Sequence, residues 1–438
     1  MIDTHELKRR DLYLNKIIAF QDTEPVKVVT GIRRCGKSSL LKLMILHLKE
    51  TGITDDQILE MNFESFAFRN MDSGGLYEYV SHHIVPDKRM YLFFDEVQRV
   101  PDWEDAINSF RVDFNCDIYV TGSNAYMLSS EYATYLSGRC IEIKMLPLSF
   151  SEFISFHGFE LRDTRSALGG TRKQAFDSNG ESYSLSEMFE AYMRFGGMPG
   201  IADVGLDQEK AMVLLDGIYS TVIMRDILDR EQRRDQRRLT DPVLLRKIIM
   251  FLADNIGSNI SISSIGNILM NEGLLEDGRR KGKPSAHTVQ AYVNALLESY
   301  FFYEIKRFDI KGKEYLRTLG KYYIVDIGLR NYLLGFRNRD SGHAIENVVY
   351  FELLRRGYDV SIGKVGNSEV DFIATKTDDK IYVQVTESMT NEYVRERELA
   401  PLQKINDNFE KIVLSLDPGI DTTYNGIKSI NLIDWLLQ

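Results

Sequence analysis

The stretch that constrains this chain most is Gly31 to Ser38, GIRRCGKS, which satisfies the spacing GxxxxGK[ST]. Before it runs Val26-Lys27-Val28-Val29-Thr30, β-branched enough to read as a buried strand, and after it Ser39 to Leu48 is apolar at helical spacing. A strand, a glycine turn and a helix make a phosphate cradle. Gly31 and Gly36 let the backbone turn successive N–H groups towards β- and γ-phosphates, at the positive end of the following helix. Ile32, Arg33, Arg34, Cys35 and Ser39 complete the residues expected around a nucleotide, with Lys37 giving charge to the phosphates and the Ser38 hydroxyl a ligand to Mg²⁺. The other reading is a chance match in an ordinary strand, turn and helix.

A chain of 438 residues is long for one core and predicts about two to four domains, and an apolar share of 44% is enough to bury them. No apolar run reaches transmembrane length, and the opening MIDTHELKRRDLYLNK lacks the apolar centre of a signal peptide. The expectation is a soluble, cytoplasmic protein with no membrane partner. Cys35, Cys116 and Cys140 are an odd number without metal-ligand spacing and fit reduced thiols; Cys35 reads as an oxidation switch or, more simply, as a small filler. A net charge of −10 argues against nucleic acid, but its distribution argues the other way. From Arg230 to Lys321 seventeen Lys and Arg stand against eleven Asp and Glu, so this stretch carries +6 and the rest −16.

Leu12 to Phe20 reads as a short amphipathic helix behind Lys8, Arg9 and Arg10, and Ile58 to Phe63 as a second strand. Met90 to Glu96, MYLFFDE, is an apolar strand that ends in two acids. This is the Walker B pattern, with Asp95 holding Mg²⁺ and Glu96 polarising the attacking water as general base; a solvated acidic turn is the plain alternative. Cys116 to Thr121 reads as the next strand, and Gly122-Ser123-Asn124 closes it where a neighbour of the Walker B strand meets a γ-phosphate. Ser123 or Asn124 would act there as a sensor, or as the N-cap of a helix from Ala125 to Tyr135. Arg139, ahead of a strand from Ile141 to Met145, is the candidate arginine finger, in its own subunit or a neighbour's, and Arg33 and Arg34 compete for that role. Gly169 to Ser182 is polar and glycine-rich and reads as a surface loop or insertion. Helices at Leu185 to Arg194 and Gln208 to Arg230 flank the sharp corner FGGMPG.

In the basic middle, helices at Leu244 to Asn255, Ser263 to Met270 and Ala286 to Ser299 are followed by strands at Phe301 to Phe308 and Tyr315 to Arg317. Three helices and a hairpin are the order of a winged helix-turn-helix. Its third helix, capped by Ser285, would offer His287, Thr288, Gln290 and Asn294 to a DNA groove. Arg279, Arg280, Lys281 and Lys283 ahead of that helix, and Arg307, Lys311 and Lys313 in the wing, would meet phosphates. A winged helix that only contacts protein is the alternative. After a linker at Gly335 to Ser341, a helix carrying Glu346, a strand carrying Asp371 and a returning strand carrying Gln384 give the metal-site layout of a PD-(D/E)XK nuclease. Its activating lysine is replaced by Thr386, so the site reads as vestigial.

The motifs GIRRCGKS, LFFDEVQ, YVTGSNA, LSGR, LPLSFSEF, FGGMPG, KYYIVDIGLRN and EVDFIA, spread over nearly the whole chain, resemble those of prokaryotic AAA-type ATPases of the AAA+ superfamily. In those proteins the core is followed by a winged helix and a nuclease-like C-terminal domain of unknown function. The resemblance implies an α/β fold. A P-loop NTPase core with an AAA+-like parallel sheet would span 1–165, a lid-like helical segment 166–240, a winged helix-turn-helix 241–335 and a restriction-endonuclease-like α/β domain 342–438. It implies ATP and Mg²⁺ as ligands and DNA and a homo-oligomer, a hexameric ring among the forms open, as partners. The leading expectation is ATP hydrolysis in an assembly on DNA. A nucleotide-gated switch with slow turnover is the alternative, and an ATP-controlled metal-dependent nuclease is the least favoured.

Overall fold

Val26–Thr30, the run ahead of the glycine loop, is buried at every position, as a strand covered on both faces must be. The computed structural model describes residues 7–123, 138–165, 171–229, 241–271, 284–310, 312, 314–337, 341–418 and 422–438. They form two units, Met1–Leu146 with Glu298–Tyr300, and Pro147–Leu297 with Phe301–Gln438.

In the first unit α1 (Asp11–Ile18) and β1 (Val26–Thr30) lead into α2 (Lys37–Glu50), β2 (Ile58–Asn62), α3 (Ser73–Ser81) and β3 (Met90–Asp95). Then come α4 (Trp103–Asp113), β4 (Cys116–Gly122) and β5 (Cys140–Lys144). The strands make one parallel sheet in the order β2-β3-β4-β1-β5. β4 therefore separates the strand that feeds the loop from the strand that ends in acids. Asn62 pairs with Asp95 and Val29 with Thr121, so the ends of β2, β3, β4 and β1 come level at one edge of the sheet. At the other edge Lys27 pairs with Asp117, both fully buried, and that carboxylate also accepts the Tyr119 hydroxyl and the Asp22 N–H, each at 2.8 Å. Burial pushes the Lys27 pKa down against the pull of Asp117.

The second unit opens with α5 (Phe150–Phe156), which Ser149 and Glu152 cap reciprocally. It starts earlier than residue 165 because α5 packs on α6 (Leu185–Phe195), with the Phe150 and Phe189 rings 5.4 Å apart. Between them β6 (Glu160–Arg165), β7 (Thr171–Phe176) and β8 (Ser182–Tyr183) form an antiparallel sheet. The stretch expected as a loop from Gly169 is thus, in its described residues, largely strand. Its first four described residues, Thr171-Arg172-Lys173-Gln174, are polar in sequence, so no apolar alternation betrays it. Next come α7 (Ile201–Val204) and α8 (Gln208–Thr221), and the helix expected to reach Arg230 changes to π-helical turns over Val222–Asp229.

The basic middle holds α9 (Pro242–Asp254), α10 (Ile262–Asn271) and α11 (Ala286–Glu298), then β9 (Phe302–Asp309) and β10 (Glu314–Ile324). That is the expected element order, but β10 runs further than Arg317 and takes in Tyr322 to Ile324. The hairpin is also not a free wing. The chain continues through α12 (Ile327–Leu334), α13 (Ser341–Arg355), β11 (Asp359–Val365), β12 (Ser368–Thr375) and β13 (Lys380–Val385). It ends with α14 (Glu392–Gln403), β14 (Glu410–Ser415), β15 (Thr422–Tyr424), β16 (Ile427–Asn431) and α15 (Leu432–Leu436). β9 pairs with β11 in parallel, giving one eight-stranded sheet, β10-β9-β11-β12-β13-β14-β16-β15. The boundary expected near residue 342 falls inside this sheet.

Two of the glycine-bearing motifs are packing devices of this unit. The Gly197 N–H donates to Asp326 Oδ2 at 2.6 Å and its carbonyl accepts the Leu148 N–H at 2.7 Å. A Cβ on Gly197 would stand 2.5 Å from the Leu148 oxygen, and one on Gly328 2.1 Å from the Phe195 oxygen. Asn331 donates to the Met193 and Arg194 carbonyls, closing the end of α6. FGGMPG and VDIGLRN therefore meet each other, and their backbone groups are used in that meeting.

Glu104, in the first turn of α4, is buried, and its Oε1 accepts no hydrogen bond among the described residues. Burial pushes its carboxyl up to about 7, and Asp102 and Asp105 add to the push. An acid whose folded pKa is raised stabilises the fold when protonated. That contribution is full below the unfolded value, about 4.3, and is lost as pH rises through the folded one. Glu104→Gln, neutral at every pH, is expected to be more stable than the wild type at about pH 8 and close to it at about pH 4. Urea unfolding at the two pH values checks this; equal shifts at both would remove the titration of Glu104 as the cause.

A candidate nucleotide-binding site

The loop between β1 and α2 has the backbone that its glycines allow. Gly31 has φ +140, and a Cβ there would lie 2.1 Å from the Met145 carbonyl oxygen, so only glycine lets the chain pass. Arg34 and Gly36 are also left-handed, with φ +63 and +104, and α2 begins at Lys37. The Ile32 and Cys35 side chains are buried, which leaves their backbone as the part that can meet a ligand. Burial pushes the Cys35 thiol up, which fits the filler and not a reactive thiolate. Lys37 is buried, with Nζ donating to the Gly31 and Ile32 carbonyls at 3.0 and 3.1 Å, while Ser38 and Ser39 are exposed at the head of the helix. Arg33 Nη2 lies 2.7 Å from Glu64 Oε1, which also meets Arg99 at 3.1 Å, and Arg34 is exposed.

Asp95 and Glu96 stand at the end of β3, both buried. Thr121 on neighbouring β4 binds both: its hydroxyl donates to Asp95 Oδ1 at 2.5 Å and accepts the Glu96 N–H at 2.9 Å. From the other side Asn62 Nδ2 donates to Asp95 Oδ2 at 3.0 Å. Glu96 sits in the left-handed region at φ +56, and its Oε2 accepts Gln98 Nε2 at 2.5 Å and the Ser123 hydroxyl at 3.3 Å. A strained non-glycine backbone at such a place is held by its surroundings. Thr121, Asn62 and Gln98 were not expected as site residues; the only signal was the place of Asn62 and Thr121 at the ends of strands flanking the Walker B strand, and of Gln98 in the turn just after it. Asn124 lies outside the described residues.

Arg139 is exposed, and its carbonyl accepts the Val26 N–H at 2.9 Å, so it sits where β1 and β5 begin. The loop follows the other end of β1, about 16 Å away at strand rise. Within one protomer Arg139 is on the wrong edge of the sheet to reach it, which removes the option of a finger acting in its own subunit.

With this geometry in view, likeness to known proteins spans nearly the whole chain. Residues 23–154 match the family model described as an AAA domain, and residues 186–340 match a domain of unknown function. An uncharacterized protein of Haemophilus influenzae is 36% identical over 431 residues, covering 98% of each chain. The chain belongs to the same family as that Haemophilus protein. The uncharacterized protein MJ1544 of Methanocaldococcus jannaschii is 28% identical over 413 residues, 92% of this chain and 84% of that one. Among solved structures the Orc1 protein of Aeropyrum pernix, in complex with DNA, is 9% identical with a TM-score of 0.32, covering 75% of this chain and 92% of that chain. Over residues 23–154 this family member matches an AAA domain, and the strands within those residues form a parallel sheet. No helix among its described residues is long and apolar enough to cross a membrane.

Of the residues expected to meet DNA, Arg279, Arg280, Lys281, Lys283, Lys311 and Lys313 lie outside the described residues. His287, Gln290 and Asn294 are exposed along one face of α11, with Gln290 Nε2 donating to Asn294 Oδ1 at 2.7 Å. Ser285 caps the helix by accepting the Thr288 N–H at 3.0 Å. Arg307 departs from expectation. It is mostly buried, 3.6 Å from Glu369, because the pairing of β9 with β11 brings it over a face of the sheet within reach of β12.

The C-terminal acids come together around a cation the spacing did not announce. Lys321 on β10 is buried, with Nζ 2.9 Å from Glu369 Oε1 and 3.7 Å from Glu346 Oε2, and Tyr323 donates to Glu346 at 3.0 Å. Burial works to lower the Lys321 pKa, but Glu346, Asp371 and Glu369 outweigh it and the pKa is raised. Asp371 is pushed well up by burial and by Glu346. Gln384 turns Oε1 to the Asp371 N–H at 3.4 Å and Nε2 to Glu398 at 2.8 Å, so its amide oxygen is engaged. Thr386 is buried behind them, and Lys364 pairs in register with Glu369 on β11 and β12. Among the described residues no group of three or more His, Cys, Asp and Glu is arranged to hold a metal ion. Removing one partner of a buried ion pair strands the other, at a cost of about 3–5 kcal/mol. Lys321→Met is expected to destabilise the protein by about 3 kcal/mol in urea unfolding; a loss below about 1 kcal/mol would mean that water already screens these acids.

Proposed function

We propose that this AAA-domain protein hydrolyses Mg·ATP, as a homo-oligomer that works on DNA. The observation that carries hydrolysis is the Asp95–Thr121–Glu96 arrangement, level with the end of β1 where the glycine loop begins. The residues fit the ligands. The N–H groups of Gly31 to Ser39 would hold the phosphates with Lys37, and Ser38 and Asp95 would hold Mg²⁺. When bound, the ion neutralises charge on the phosphate oxygens. Asn62 and Thr121 aim the Asp95 carboxylate, and Glu96 takes the proton of the attacking water, with Ser123 and Asn124 as sensors of the phosphate. Arg139, out of reach of its own loop, supports a finger given to a neighbouring protomer's site, and with it a closed ring, with a hexamer among the forms open. The +6 stretch and the exposed polar face of α11 support DNA as the partner. Cytoplasmic residence goes with that reading. The described geometry supports a C-terminal sheet that keeps a nuclease-like set of acids without cleavage.

One observation favours a second reading, a nucleotide-gated switch with slow turnover: Glu96 is already engaged by Gln98 and Ser123. Phosphate release with and without duplex or branched DNA separates the two, since only the first predicts stimulation.

Lys37→Ala is expected to lose nucleotide binding, whereas Glu96→Gln should bind Mg·ATP normally and turn over at least about a hundredfold more slowly. Near-normal turnover by Glu96→Gln would take the role of base away from it. Arg139→Ala should bind ATP and hydrolyse it about a thousandfold more slowly. Mixed with Lys37→Ala protein it should regain activity, because intact fingers then meet intact loops. Turnover independent of protein concentration, in a protein that sediments as a monomer, would remove the shared site.

A further inference from the structure

Arg10 precedes α1, lies outside every motif above, and is only 3% exposed. Its Nη1 donates to two carbonyl oxygens, those of Cys35 and Leu146, each at 2.9 Å. Its guanidinium carbon stands 4.7 Å from the centre of the Tyr13 ring, and the Tyr13 hydroxyl accepts the Leu146 N–H at 3.1 Å. The start of α1 therefore grips the phosphate loop and the segment after β5 at once. That segment is the one whose Met145 carbonyl Gly31 passes so closely, and the Met145 N–H donates to Thr30 at 2.7 Å.

The consequence falls on the peptide between Cys35 and Gly36. A trans peptide unit is planar, so its C=O and N–H point in opposite directions. With the Cys35 carbonyl drawn inward to Arg10, the Gly36 N–H is turned outward, the direction in which a row of N–H groups must face to bind an anion. Gly36 then hands the chain to α2, whose first N–H groups continue the row. The Arg10 charge is felt at this point of the loop. Arg10 and Lys37 are the cations that oppose the push of burial on the Cys35 thiol.

We propose that Arg10 is a positioning residue of the phosphate loop, fixing the Cys35–Gly36 peptide so that the Gly36 N–H faces the phosphates, without itself touching nucleotide. The proposal rests on the nucleotide-binding reading of the loop. Its test is calorimetric titration of Mg·ATP into wild type, Arg10→Lys and Arg10→Met, below the unfolding transition of each, with thermal melts of the unliganded proteins alongside. The dissociation constant is expected to rise about tenfold in Arg10→Met, the loss of one well-aimed hydrogen bond to a charged group. Arg10→Lys should lose less, because an ammonium can still serve one of the two carbonyls. A residue that served packing alone would lower the melting temperature and leave the affinity of the folded protein unchanged. Affinities within about twofold of wild type in both variants overturn the proposal. If Arg10→Met does not fold, Arg10→Lys decides by the same criterion. A wild-type protein that takes up no Mg·ATP fails before any variant is compared, and overturns the nucleotide reading itself.

Discussion

At Gly31 the chain clears the Met145 carbonyl by a margin that no side chain could share, and the geometry of the first unit depends on that passage. β5 runs alongside β1 for its whole length and ends level with it, and the backbone just after, at residues 145 and 146, forms a floor behind the loop. The loop's carbonyls at 31 and 32 accept the Lys37 ammonium, and the carbonyl at 35 is satisfied on that inner side by Arg10. With the Cys35 carbonyl held from behind, the Gly36 N–H of the same planar peptide is left for the opposite side, the direction an anion cradle requires.

Two buried acidic centres in this protein are held in opposite ways, and the difference decides what each can bind. Asp95 and Glu96 are held by neutral donors, the side chains of Asn62, Thr121, Gln98 and Ser123. These fix the carboxylates in place without cancelling their charge, so a cation from outside still gains from meeting them. Glu346, Glu369 and Asp371 instead surround Lys321, an ammonium supplied by the chain itself. Their field is spent internally, and that sheet gains a polar tie between its hairpin and its central strands.

The elements along the first unit were legible in the sequence because they rest on interactions between near neighbours. Buried runs such as Val26–Thr30 and Met90–Asp95, the glycine turn and the apolar spacing of α2 each depend on residues within a turn or two of one another. The same holds for the place of Asp95 and Glu96 at a strand end. It does not hold for β7, whose polar opening residues carry no period, or for the far end of β10, which is strand because β9 pairs with it.

The sequence by itself determined a phosphate loop followed by a helix, two acids on a later strand, and a basic middle built of helices and a hairpin. Only the tertiary structure decided which side chains those groups meet. Strand order set β4 between the loop and the acids, and so made Thr121 the residue that binds both Asp95 and Glu96. Parallel pairing put Arg139 at the edge opposite the loop, and the pairing of β9 with β11 turned Arg307 onto Glu369 and took the hairpin into the C-terminal sheet. Register and strand order are agreements between segments tens or hundreds of residues apart. No local spacing encodes them, because they are fixed only when distant strands bury their faces together.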